Sequence, residues 1–311
     1  MNGPEGAQVE AALHVLDHAA ARAEGRLVEP PSIIAPPDFE HAARIAMQEV
    51  RGRLDRVLMG EDPESGLDAL LENGALSVML PEVKALVGFG DGEWRHKDVW
   101  KHTKQVVRQA EARIEVRWAA LLHDVGKVKT RSVTPDGQVH FFGHAELGAR
   151  MFDRLEKRLR IFGHEPSLQN SVRFLILHHL RANQYEPSWT DSAVRRFARE
   201  MGAELDNLLC LSRADITTKR AEKKRRGLQQ IEDLSARICE LAELDARVPP
   251  LPSGVGNDIM EAFGIPPSRL IGDIKRALEL AVEQGELPGH EPSEFYVEYL
   301  RQHRDRFNIP A

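Results

Sequence analysis

Cysteine is nearly absent. The 311 residues hold two, Cys210 and Cys239, too few for a disulfide framework and in keeping with a reducing compartment. Aromatic residues make up only 6% of the chain and β-branched runs are few, which argues against extensive sheet. No stretch approaches the roughly 18 apolar residues that a bilayer span requires. The N-terminus carries Glu5 and Glu10 and lacks an apolar signal core, so the expectation is a soluble cytoplasmic protein. Positive charge is not in excess either. The formal net charge of −6 excludes nonspecific nucleic-acid binding by the whole surface and confines any polyanion partner to a local patch. A Ser/His/Asp triad, a Walker loop, a Gly-rich dinucleotide fingerprint and a fixed-length repeat are all missing.

What is present is helical periodicity. Val9, Ala12, Leu16 and Ala20 mark a weak amphipathic helix, followed by a Pro-rich linker ending at Pro36-Pro37. Asp38 can cap one helix running to about Met59, with Ile45, Val50, Leu54 and Leu58 on its apolar side. A short helix from Leu67 stops at Asn73-Gly74, another begins at Leu76, and Gly88, Gly90 and Gly92 mark a loop. A helix over Lys97–Ala110 comes next. Pro135-Asp136-Gly137 predicts a tight turn and a small hairpin near residues 131–142. Further helices are expected from Ala145, around 171–180, after an Asp191 cap, and over Glu204–Ile216. A second linker, Val248–Pro252, precedes three C-terminal helices. The reading is all-α, in four parts: an N-terminal helix and linker at 1–37, a helical neck at 38–92, a metal-binding bundle at 93–247 and a helical tail at 248–311.

The chemistry sits at helix ends. Val116–Leu122 is apolar on nearly every side, so it reads as a buried helix, yet it runs into His123-Asp124 before Gly126 breaks it. An imidazole and a carboxylate there are costly to bury unless paired or bound to metal. The bland alternative is that Asp124 simply pairs with Lys127. His102 falls on the apolar face of its helix, where a core histidine with one hydrogen bond would serve as well. His144 stands where a loop enters a helix. His178-His179 end a second apolar helix, and two adjacent imidazoles there are hard to explain by packing. Asp215 continues the apolar line of its helix and needs a cation, which Arg213 or Lys219 could supply. The run 219–226 carries six basic residues and one acid: either an anion-binding patch or a solvated helix face. Imidazole and carboxylate ligands together suit Mn²⁺, Fe²⁺, Co²⁺ or Ni²⁺, with Mg²⁺ possible at an oxygen-rich site.

Taken in order, His102, His123-Asp124, His144, His178-His179 and Asp215 resemble the HD superfamily of metal-dependent phosphohydrolases, with His-Asp-Val-Gly-Lys127 and Gly-His144 matching in local context. A closer similarity is to the neck, body and HD part of the tRNA nucleotidyltransferase and poly(A) polymerase family. It is carried by Gly74-Ala-Leu…Leu80-Pro-Glu82, Lys97-Asp-Val-Trp-Lys-His-Thr103, His140-Phe-Phe-Gly-His144 and Asn257-Asp-Ile-Met260…Phe-Gly-Ile-Pro266, from about residue 40 to 300. The family's polymerase head precedes the neck and carries an Asp-X-Asp metal pair. Residues 1–39 are too short for it and no Asp-X-Asp occurs, so CCA addition by this chain alone is not expected.

The resemblance implies one or two divalent ions. His102, His123, Asp124 and Asp215 would hold the first, and Asp124 could bridge to a second held by His144, His178 and His179. Asp124 and Lys127 would be catalytic. Lys127 and, less strongly, Arg131 would bind phosphate, and Lys223, Lys224, Arg225 and Arg226 would face RNA. The implied reaction is water attack on the phosphorus of nucleotides or RNA ends, 2′,3′-cyclic phosphates among them. Two rivals stay open: a noncatalytic RNA-binding body with a structural metal, and a nucleotidyltransferase subunit needing a head in trans. A homodimer stays among the options; a membrane partner is not expected.

Overall fold

Helix follows the apolar periodicity through most of the chain. In the computed structural model, which describes residues 4–31, 35–90, 98–246 and 249–309, 69% of the described residues are helical. The strands among them are β1 (Ser132–Val133) and β2 (Val139–His140), paired antiparallel across the expected turn. The expectations placed on Gly92, Lys97 and Val248 lie outside the described residues. Two compact units are present, Met1–Cys239 and Glu240–Ala311.

The first unit begins with α1 (Pro4–Ala23), α2 (Phe39–Ile45) and α3 (Met47–Met59). Asp38 caps α2 as expected, its carboxylate accepting from the His41 N–H. The single helix expected through Met59 is instead two, because Ala46 leaves the helical region (φ −130°, ψ 37°) and turns Ile45 out to solvent. Next come α4 (Pro63–Glu72), α5 (Ala75–Met79) and α6 (Pro81–Lys84). α4 starts earlier than Leu67: Asp62 caps it and Pro63 occupies its first turn, where a missing N–H costs nothing. The helices α7 (Val99–Gln109), α8 (Ile114–Leu122) and α9 (Lys127–Thr130) lead to the hairpin. After it run α10 (His144–Leu159), α11 (Pro166–His178), α12 (Asp191–Met201), α13 (Leu205–Ala214) and α14 (Ala221–Ala246). The cap of α12 is Thr190, not Asp191: its hydroxyl accepts from the Ala193 N–H.

α8 is the centre of this unit. Every residue from Val116 to Gly126 is buried, with α3, α7, α11 and α13 packed around it. Two polar side chains fix its position. The Arg117 guanidinium, buried, donates to the carbonyls of Leu58 (2.5 Å) and Gly60 (2.9 Å), satisfying orphan acceptors at the C-terminal end of α3. The Trp118 indole donates to Asp55 at 2.7 Å, and the same carboxylate takes the Arg51 guanidinium. α8 is thereby fixed against α3 both along its axis and in rotation, which determines where its C-terminal end delivers His123 and Asp124.

The second unit holds the C-terminal part of α14 with α15 (Val255–Phe263), α16 (Arg269–Glu283) and α17 (Ser293–Gln302). Its core gathers Val255, Ile259, Ile274, Leu278, Tyr296 and Leu300. The Tyr296 hydroxyl lies within reach of the Pro250 (3.1 Å) and Pro288 (3.0 Å) carbonyls and accepts from the Glu291 N–H, so a buried aromatic also ties down two loops.

Candidate metal centre

Five elements converge on one point. α7 carries His102; α8 ends at His123, with Asp124 next; α10 begins at His144; α11 ends at His179; α13 ends at Asp215. Three of these are helix C-termini, since His123, His179 and Asp215 are the C-cap residues of α8, α11 and α13. They place the negative ends of three macrodipoles around the point, which favours a cation there.

The imidazoles are oriented by their own backbone. Nδ1 of His123 lies 2.8 Å from the Ala120 carbonyl, Nδ1 of His144 2.7 Å from that of Phe141, and Nδ1 of His179 2.8 Å from that of Ile176. In each case the acceptor is three residues back. A carbonyl can only accept, so each Nδ1 carries a hydrogen and each Nε2 turns inward. His102 uses a side chain instead: its Nδ1 is 2.8 Å from the Thr217 hydroxyl.

The inward nitrogens crowd together. Nε2 of His102 and Nε2 of His123 are 3.3 Å apart, and Nε2 of His144 and Nε2 of His179 are 3.2 Å apart. Two ring nitrogens at that distance need a proton or a metal cation between them. The carboxylates complete the set. Asp124 Oδ2 is 3.2 Å from His123 and 3.4 Å from His102, and Asp124 Oδ1 is 3.6 Å from His144. Asp215 Oδ1 is 3.1 Å from His102 and 3.5 Å from His123. Two groups, His102–His123–Asp124 and Asp124–His144–His179, each bring their ligand atoms within 4.8 Å of one another and share Asp124.

The ion pair between Lys127 and Asp124 also exists, at 2.6 Å, but it satisfies Oδ2 only. Asp124 is 1% exposed, and its Oδ1 has no hydrogen-bond partner among the described residues. A buried carboxylate oxygen without a donor, facing an imidazole lone pair, fits a bound metal ion and fits a purely structural site poorly.

The protonation tendencies agree. Burial disfavours charge on His123, but Asp124 and Asp215 overcome it and push its pKa up to about 10. Burial likewise opposes charge on His102, and the same two carboxylates raise it. Burial raises Asp124, yet His123 and Lys127 hold it well below the usual carboxylate range. Asp215 is also buried against its charge and is lowered by its bonds to His102 and His123. His179 is pushed down to about 4 by burial and by the His123 charge, and burial lowers His144. One side of the centre therefore draws in positive charge, while the other offers neutral imidazoles.

Of the seven ligands expected, six converge. The structure does not bring His178 with them: its ring packs 4.3 Å from Phe174 and is half-buried. Consecutive helical residues point about 100° apart, so only one of His178 and His179 can face inward. Lys127 sits at the rim, its ammonium 5.7 Å from the Phe141 ring. Arg131 is exposed just after α9, and Lys223, Lys224, Arg225 and Arg226 are exposed in the first two turns of α14.

Thr217 was not legible as part of the site, since nothing in Ile216-Thr-Thr-Lys219 marks one hydroxyl over the other. Thr217→Val should weaken divalent-metal binding about ten- to a hundredfold, the usual cost of losing an outer hydrogen bond to a ligating histidine, and Thr217→Ser should restore it. Titration of the metal-free protein with Mn²⁺ or Co²⁺ measures both; equal affinity in the valine variant would show the hydroxyl to be idle.

Residues 97–220 match the HD domain. The chain is 28% identical over 261 residues to the A-adding tRNA nucleotidyltransferase of Deinococcus radiodurans, covering 81% of this chain and 58% of that one. To the CC-adding tRNA nucleotidyltransferase of Thermus thermophilus it is 30% identical over 266 residues, covering 84% and 58%. A multifunctional CCA protein of Ectopseudomonas mendocina is 31% identical over 150 residues, covering 46% and 36%. The chain thus spans rather more than half the length of the first two relatives. Residues 97–220 are an HD domain, and the chain is similar to tRNA nucleotidyltransferases over most of its own length, as its motifs implied.

Proposed function

We propose that this HD-domain chain is a metal-dependent phosphohydrolase acting on phosphomonoesters or phosphodiesters of nucleotides and RNA ends, 2′,3′-cyclic phosphates included. The observation that carries the reading is the inward convergence of four Nε2 atoms around the orphaned Asp124 Oδ1. His102, His123, Asp124 and Asp215 would hold one ion, and Asp124, His144 and His179 would hold a second if there are two. A divalent ion supplies a water of lowered pKa and neutralises phosphoryl charge. The chain's own residues do the rest. The Nδ1 contacts keep each imidazole in the ligating tautomer. Lys127, 23% exposed at the rim, can turn its ammonium from Asp124 to a phosphoryl oxygen or to the leaving group. Lys223, Lys224, Arg225 and Arg226 stand in the first two turns of α14, where the macrodipole disfavours cations; an RNA backbone on that segment would offset the cost.

A second reading is favoured by the relatives, the A-adding and CC-adding tRNA nucleotidyltransferases: an RNA-binding body with a structural metal, working with a polymerase head. One set of experiments separates the two. Metal content is measured, and the Mn²⁺-, Co²⁺-, Ni²⁺- and Mg²⁺-loaded protein is assayed on 2′,3′-cyclic nucleotides, nucleotide monophosphates and 3′-phosphorylated RNA. Turnover of at least one class is expected. Metal-replete protein that hydrolyses none of them would move the assignment to the RNA-binding body. In either reading, neutralising Lys223, Lys224, Arg225 and Arg226 should weaken RNA binding and flatten its log–log salt dependence by roughly 3. Unchanged binding would make the run a solvated helix face.

A further inference from the structure

The hairpin beside the metal centre carries an aromatic pair that the centre does not use. β2 ends at His140 and Phe142 stands in the turn that follows, with Phe141 against Phe89 and Phe142 against His140. Phe141 faces the protein: its ring packs edge-on to Phe89 at 6.2 Å, and its carbonyl anchors His144. Phe142 faces solvent and is 77% exposed. Its ring lies parallel to the His140 imidazole, at an interplanar angle of 10° and a centroid distance of 4.9 Å.

A phenylalanine this exposed forgoes most of the roughly 2 kcal/mol that burial would contribute, and its stack on His140 covers only one face. The flank is basic. Lys127, Lys129 and Arg131 precede the hairpin against one acid, Asp136, in a chain of net charge −6; Lys129 and Arg131 are exposed. Phe142 is two residues before His144, so the two Cα atoms are no more than about 7 Å apart. Aromatic faces interleaved with cations, one residue pair from a phosphate-directed centre, suit a nucleotide: the phosphate to Lys127, the base to the ring.

We infer that His140 and Phe142 form a stacking platform for a nucleobase of the substrate strand. The inference rests on the reading of the metal centre as a phosphoester site, but its test does not depend on turnover. Binding of adenosine 5′-monophosphate and of ribose 5-phosphate to the metal-loaded protein is measured by calorimetry for wild type, Phe142→Ala, Phe142→Trp and His140→Ala. Phe142→Ala should weaken the nucleotide by roughly 5- to 150-fold and leave ribose 5-phosphate and metal content unchanged. Phe142→Trp should bind the nucleotide at least as well as wild type, and His140→Ala should show a smaller loss than Phe142→Ala. The platform is overturned if Phe142→Ala binds the nucleotide like wild type, if both ligands weaken equally, or if wild type prefers the nucleotide no more than ribose 5-phosphate. Nucleotide binding without hydrolysis of any ester would instead leave the platform standing and remove the phosphohydrolase reading.

Discussion

Asp124→Ala should abolish phosphoester hydrolysis and remove most of the bound divalent metal, with helicity unchanged. Asp124 is the ligand common to both groups of the centre, so its loss leaves each with imidazoles alone or with Asp215. Its Oδ1 also lies 3.6 Å from His144 Nε2. Truncation frees Lys127 from its 2.6 Å pair, and that ammonium stays at the rim as an uncompensated positive charge, which further disfavours a cation. The fold should persist because α8 is held by other means: its apolar faces, the Arg117 bonds to α3 and the Trp118 bond to Asp55. Metal content by plasma emission, circular dichroism and the ester panel check this together. Lys127→Ala is the contrast: metal retained and turnover slowed, since its proposed partner is phosphate. Full metal binding by the Asp124→Ala variant would sink the ligand assignment.

Gly126→Ala should cost stability and metal affinity at once, although it adds a single methyl group to an exceptionally well-buried position. A Cβ on Gly126 would stand 2.1 Å from the His144 carbonyl oxygen and 2.9 Å from the Gly148 amide nitrogen. Both are backbone atoms of α10, so no side chain can turn aside and the helix itself must shift. We expect about 1–3 kcal/mol of destabilisation, the range for overpacking, and a loss of metal affinity because the displaced turn carries His144. Gly52→Ala is the control. Gly52 lies within α3 with nothing within 4 Å of its Cβ position, so alanine there should stabilise by roughly 0.5–1 kcal/mol through helix propensity. Thermal melts with and without Co²⁺ distinguish the two; a Gly126→Ala protein as stable and as metal-competent as wild type would disprove the close approach.

These two positions also show what the sequence conveyed. Polar pairs at the ends of apolar helices point to His123-Asp124 and His178-His179, and a carboxylate on an apolar line points to Asp215, because burying such groups demands a partner; the structure brings His123, Asp124, His179 and Asp215 together. The hairpin followed from Pro135-Asp136-Gly137. Gly126 was legible as a helix breaker, but its φ of −68° is ordinary helix; its role is the approach of α10, a tertiary fact with no local signature. The same holds for the choice between His178 and His179, which depends on the rotation of α11 against α8 and not on either residue. The break at Ala46 went unseen because alanine is the best helix former and only packing takes it out of the helix.

Three of the four imidazoles in the centre are held by main-chain carbonyls, two from their own helix ends and that of His144 from the hairpin residue Phe141 before α10. A carbonyl belongs to every amino acid, so no substitution at Ala120, Phe141 or Ile176 deletes the acceptor; it can only disturb the turn that presents it. The orientation of His123, His144 and His179 is therefore inherited with these backbone turns themselves. Changes in surrounding side chains that leave the turns in place, unlike Gly126→Ala, can proceed without loosening them. Only His102, which depends on a hydroxyl at Thr217, has an anchor that one codon change can take away. A saturation scan of the shell should accordingly find a single sensitive anchoring side chain among tolerant neighbours.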